Sequence, residues 1–113
     1  MGLVEDFNVY RTGMNEKIMA SESLIIKRIF NLESNAYVDG HLDLRSKELI
    51  GLTCSLVLRC DDCIKYHLGK CNDIGLSTKQ IQEALGIATL VAGTIVIPHL
   101  RRAFEYWEEL KHV

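Results

Sequence analysis

A chain of 113 residues, 48% of them hydrophobic, fits one domain of ordinary globular composition. A net charge of -2, with no basic patch interleaved with aromatics, gives no electrostatic case for nucleic acid. The longest apolar stretch, Ala84 to Pro98, is shorter than the roughly 20 residues of a membrane span and is interrupted by Thr89 and Thr94, so no membrane partner is expected.

The opening stretch MGLVEDFNVY lacks the basic segment and apolar run of a signal peptide, and Asp6 stands where a myristoylation motif needs Ser or Thr. A cytoplasmic protein is the expectation. In that reducing compartment four cysteines point to catalysis, metal binding or buried packing rather than a structural disulfide framework.

One proline and no alternating β-branched runs predict an all-α fold of six helices in a single domain, residues 1–113. The first helix, 3–19, sets Leu3, Phe7, Tyr10, Met14 and Ile18 on one apolar face. Ser21 or Ser23 caps the second, whose buried side is Leu24, Ile25, Ile29, Leu32 and Ala36, and Asp39-Gly40-His41 is a turn. Asp43 caps the third, 44–57, which packs Leu49, Ile50, Leu52, Leu56 and Val57, with Cys54 among them as a core residue.

The fourth helix covers 60–74 and stops at Gly75. Ser77 and Gln80 form a capping box for the fifth, which runs to Ile97 before Pro98 kinks or restarts the chain into a last helix, Leu100 to Leu110. The fifth helix is apolar around much of its circumference, more than one small monomer can bury, so a homo-oligomer is expected. His41 and His112 read as solvated, and His99 as a residue at a subunit contact.

The chemistry concentrates in Arg59 to Cys71, RCDDCIKYHLGKC. On a helix Cys60, Cys63, His67 and Cys71 form one stripe. Residues three apart have Cβ atoms roughly 5 to 6 Å apart, near disulfide distance, so Cys60 and Cys63 can bridge. Cys71 lies about 12 Å further along than Cys63, outside that reach, and reads as a buried small apolar residue or as a resolving thiol reached by local opening. Zinc is set aside, because Cys60 and Cys71 stand about 16 Å apart along the axis and zinc bonds are about 2.0 to 2.3 Å.

A thiol must ionise to react, and two groups serve that need. His67, four residues after Cys63, can take its proton, while Cys60 at the helix N-terminus meets free N–H groups that favour a thiolate. Which cysteine attacks first stays open. Asp61 and Asp62 suit the helix dipole but oppose a nearby thiolate, with Arg59 a partial offset. If helices three and four form a hairpin near Arg59, Glu48 and His67 come to similar heights, and Glu48 is the candidate to orient the imidazole; the other reading is a solvated first-turn glutamate.

With these residues in place, Leu42 to Arg102 resembles the carboxymuconolactone decarboxylase superfamily, specifically its branch similar to alkylhydroperoxidase D. The resemblance is carried by LDLRSKELI, CDDCIKYH, GLSTKQIQEAL and the glycine-containing apolar helix that follows. The family pattern is a glutamate, eleven residues, C-x-x-C, three residues and histidine, matched without a gap by Glu48, Cys60, Cys63 and His67.

The resemblance implies an all-α fold, a homotrimer or homohexamer, and a redox-active cysteine pair served by a Glu-His proton relay. It also implies a peroxide or disulfide substrate and a lipoyl or thioredoxin-like reductant; no cofactor or metal is expected. Two departures stand out: Asp62 replaces the histidine found before the second cysteine in alkylhydroperoxidase D, and Cys71 occupies a position often held by a small residue.

The leading reading is a thiol-dependent peroxidase or disulfide oxidoreductase. A lyase acting on a small carboxylated lactone through His67 and Glu48 is the first alternative. A non-catalytic oligomeric or redox-sensing protein is the second.

Overall fold

The computed structural model describes residues 2–112, and their order is α1 (Leu3–Met19), α2 (Leu24–Ala36), α3 (Leu44–Val57), α4 (Asp61–Asp73), α5 (Thr78–Ala92), a 3₁₀ turn (Thr94–Val96) and α6 (Ile97–His112). No strand occurs among them, and no helix is long and apolar enough to cross a membrane.

The starts of α2, α3 and α5 have local causes. Asp43 accepts the Ser46 N–H at 2.8 Å. Ser77 and Gln80 exchange side-chain and backbone bonds of 3.1 and 2.8 Å, the reciprocal box that the sequence predicts. Ser23, not Ser21, caps α2. Asp39 adds a bond to the Leu44 N–H at 2.7 Å, tying the turn to α3.

The core lies where α3, α4, α5 and α6 meet, filled by Leu52, Leu56, Ile64, Leu68, Leu76, Ile81, Leu85, Val96 and Tyr106. Trp107 fastens α6 to the start of α5 by donating its indole N–H to Thr78 at 2.9 Å. The hairpin of α1 and α2 is attached more lightly. Glu109 on α6 accepts the Leu3 and Val4 N–H groups at 3.0 and 2.6 Å, capping α1 from a distant part of the chain. Phe7 then meets Tyr106 edge-on at 6.0 Å.

Several expectations are corrected here. The apolar face predicted on α1 is present but only Val4 of the helix is buried: Tyr10 and Met14 are exposed where that face borders an open cleft, and Leu3 is exposed at the helix start. α2 has no buried residue: Leu24, Ile25, Ile29, Leu32 and Ala36 all face outward, with Ile25 72% accessible, since α2 packs mainly on α1. On α3, Ile50, Val57 and Cys54 are exposed, so Cys54 is not a core residue.

α5 ends at Ala92, five residues before the expected Ile97. Gly93 adopts φ of +87°, a conformation that side chains disfavour, and breaks the helix there. Pro98 lies in the first turn of α6, where its missing N–H costs nothing.

Leu52 is fully buried between α3 and its neighbours. Leu52→Ala is expected to lower stability by roughly 2 to 5 kcal/mol, read as a fall in the urea midpoint with the slope unchanged.

Candidate active site

The site is built on the α3–α4 hairpin. Arg59 takes φ of +60°, unusual for a side-chain-bearing residue, and lets the chain reverse tightly. Its N–H bonds the Leu56 carbonyl at 2.9 Å and the Cys60 N–H bonds Ser55 at 3.0 Å, so the last carbonyls of α3 are satisfied by the turn itself.

That reversal brings Glu48 and His67 together. His67 Nδ1 lies 2.8 Å from Glu48 Oε1, and the residues are 7% and 3% exposed. A buried carboxylate this close to a ring nitrogen assigns the proton to Nδ1 and leaves Nε2 as the acceptor. Glu48 is therefore not the solvated glutamate of the alternative reading.

Three further residues enclose the imidazole. A Cβ placed on Gly51 would lie 2.5 Å from His67 Cε1 and 2.8 Å from each ring nitrogen, so only glycine leaves room for the ring against α3. Tyr37 and Tyr66 pack on the ring at centroid distances of 5.4 and 5.1 Å. Burial pushes both phenols above their ordinary pKa, with the Glu48 charge adding to the effect on Tyr37, so both remain neutral. Arg11 of α1 lies 4.3 Å over the far side of the enclosure, on the Tyr66 ring.

Cys60 and Cys63 form a disulfide with Cα atoms 5.2 Å apart. Cys60 is the N-cap of α4, and its sulfur accepts the Cys63 N–H at 3.2 Å. Cys63 is the more exposed partner. Together with His67, Tyr66 and Asp62 it lines a cleft of about 750 Å³ whose other wall is the apolar face of α1, including Phe7, Met14 and Ile18, with Phe30 of α2.

Cys71 is separate: it is fully buried in the core, where desolvation, helped by the Glu48 charge, pushes its thiol up to about 12. A thiol of that kind stays protonated near neutral pH and behaves as a small apolar side chain. His41 and His112 are exposed.

Sequence reasoning did not find Gly51, Tyr37 or Tyr66. Tyr66 has a signal in its adjacency to His67; Gly51 and Tyr37 have none, because their role depends on where another helix puts the ring. Nor did it find the partners of Asp61, which binds His99 and Arg102 rather than relying on Arg59.

Comparison with known proteins gives the family and the fold. The profile described as carboxymuconolactone decarboxylase family matches residues 25–106. A carboxymuconolactone decarboxylase family protein of Thermotoga maritima, described as a candidate participant in antioxidative response, is 52% identical. Its crystal structure superposes with a TM-score of 0.90 over 95% of this chain and 91% of that one. A second crystal structure of the same protein gives 0.92 at 52% identity, over 96% and 95% of the two chains.

An apo protein of the family from Legionella pneumophila shares the fold at 22% identity, with a TM-score of 0.77 over 95% of this chain and 92% of that one. Uncharacterized protein 4 in the cox locus of Paracoccus denitrificans is 29% identical over 79 residues, 70% of this chain and 71% of that protein. With a profile match across most of its length and the same helices in its relatives, the chain belongs to the carboxymuconolactone decarboxylase family.

Proposed function

We propose that the protein is a thiol peroxidase of the branch similar to alkylhydroperoxidase D. The observation that carries this reading is that Cys63 and His67 line the same cleft, with Cys60 bonded to Cys63 and Glu48 behind His67. The description of the Thermotoga maritima relative, a candidate in antioxidative response, supports the same direction.

In the reduced protein His67 Nε2 takes the Cys63 thiol proton. The Cys63 thiolate attacks the terminal peroxide oxygen, the O–O bond breaks, and the alkoxide leaves as alcohol with the proton from His67; Cys63 becomes a sulfenic acid. The Cys60 thiol then displaces hydroxide from Cys63, giving the disulfide and water. A dithiol, of the lipoyl or thioredoxin-like kind, supplies two electrons and two protons to restore the pair. A reducing compartment such as the cytoplasm suits a disulfide that must be reopened in every cycle.

The working form is proposed to be a homotrimer or homohexamer. α2 exposes an apolar side, and α5 exposes Ile87, Leu90 and Val91, with Leu90 80% accessible, which one chain leaves wet. Sedimentation is expected to give a species several times the 12.8 kDa chain mass, reduced to a monomer by Leu90→Asp. A wild-type monomer at micromolar concentration would remove the assembly.

One equivalent of peroxide added to reduced protein is expected to remove two hydrogens and link Cys60 to Cys63 by mass spectrometry. Cys63→Ser abolishes peroxide-dependent oxidation of the dithiol, whereas Cys71→Ala retains it; decarboxylation of a lactone by a Cys60→Ser, Cys63→Ser protein would instead support the lyase.

Gly51→Ala keeps the helix but drives the new methyl into His67. Turnover is expected to fall by about a hundredfold or more, as for a catalytic group displaced by about 1 Å, with far-UV helicity retained. Unchanged turnover would mean that the Glu48–His67 pair is not required.

A further inference from the structure

Asp61 is the first residue of α4 and follows Cys60 directly in the chain. Its carboxylate is held at both oxygens from α6. His99 Nδ1–H donates to Oδ1 at 2.8 Å, and Arg102 Nε–H donates to Oδ2 at 2.9 Å. Arg102 Nη2 also lies 3.1 Å from His99 Nδ1, so the two basic side chains converge on this one acid. Desolvation alone would raise the Asp61 pKa, but the bonds from His99 and Arg102 outweigh it and hold the carboxyl below its ordinary value.

We propose that Arg102 and His99 are positioning residues for the reductive half of the thiol cycle: by neutralising Asp61 they let Cys60 depart as a thiolate when the disulfide is opened. This rests on the thiol-cycle reading. Cys63 is exposed in the cleft, so the incoming dithiol attacks its sulfur. A bond forms between the reductant sulfur and Cys63, the Cys60–Cys63 bond breaks, and the electron pair goes to Cys60. The second reductant thiol then displaces Cys63 as a thiolate, leaving the dithiol oxidised to its own disulfide and the pair reduced by two electrons.

A leaving thiol departs faster as its pKa falls. Cys60 already accepts an N–H at the start of α4, so the opposing charge is that of Asp61, the next residue in the chain. The charged or ionisable groups on the elements that meet the start of α4 are Arg59 in the turn, Asp61 and Asp62 on α4, and His99 and Arg102 on α6. α3 meets it with the Ser55 carbonyl, and the ionisable Glu48 of α3 is engaged by His67. Of these, Arg102 carries a permanent positive charge bonded to Asp61, the residue that follows Cys60 in the chain.

The test separates the two half-reactions. The Cys60–Cys63 disulfide is opened with dithiothreitol, and the reduced protein is separately oxidised with peroxide, both followed by acid quench and mass spectrometry. Arg102→Gln is expected to slow opening by dithiol about twofold to fivefold, the scale of a partly exposed charge pair, with oxidation by peroxide unchanged and the loss smaller at high salt.

In an Asp61→Asn background the same substitution is expected to have no effect, because the charge it answers is gone; Arg102→Lys keeps the charge and restores part of the rate. Equal slowing of both half-reactions, or slowing that persists with Asn at position 61, overturns the inference. If peroxide does not re-form the disulfide in the wild-type protein, the peroxidase reading fails, while opening by dithiol, on disulfide made with diamide, still decides the role of Arg102.

Discussion

The contact between Glu48 and His67 constrains more of this structure than any other. A carboxylate removed from water is costly unless something bonds it, and here its partner comes from the next helix. The contact therefore fixes how α3 and α4 lie against each other: the turn at Arg59 must reverse within a few residues, and the position of α3 that faces the ring must be Gly51. Tyr37 and Tyr66 close the remaining sides, so the imidazole is held by packing as well as by its hydrogen bond. In the proposed cycle, preorganisation of this kind removes the cost of arranging His67 at the moment a proton moves.

The same hairpin leaves the rest of the molecule in two unequal parts. α3 to α6 share a filled core, whereas α1 and α2 are attached through Glu109, Phe7 and the aromatic and basic contacts around Tyr66. The cleft exists because this second part does not pack down onto α4. The looseness that opens the cleft is also why the apolar side of α2 has no cover within the chain.

Much of the fold was legible in the sequence because capping is local. Asp43 and the Ser77–Gln80 box mark their helix starts within four residues, and the spacing of Glu48, Cys60, Cys63 and His67 places all four on a two-helix hairpin. Burial was less legible. A 3.6-residue pattern identifies an apolar face but not what covers it, so Ile25, Ile29 and Leu32 on α2 were expected in a core that does not reach them.

Cys54 failed for the same reason, since its neighbours in sequence point to other faces of α3. The end of α5 turned on Gly93, whose helix-breaking role depends on its backbone angle, while the more conspicuous Pro98 only opens the next helix. The ligands of Asp61 lie 38 and 41 residues away, beyond any local pattern.

The start of α4 has to satisfy two demands that conflict. Acidic residues in the first turn complement the helix dipole and help a helix whose N-cap is Cys60. The same charges disfavour a thiolate beside them. The two aspartates are treated differently: Asp61 is bonded by His99 and Arg102, whereas Asp62 is left exposed at the cleft, next to Cys63.

The helix thus keeps both carboxylates, but the field at its two sulfurs is no longer the same. Cys60 has a neutralised neighbour and a backbone N–H, and Cys63 has an open carboxylate and a histidine. In the proposed thiol cycle this asymmetry makes Cys60 the sulfur that leaves and Cys63 the one that is attacked, through α6 side chains that do not line the cleft.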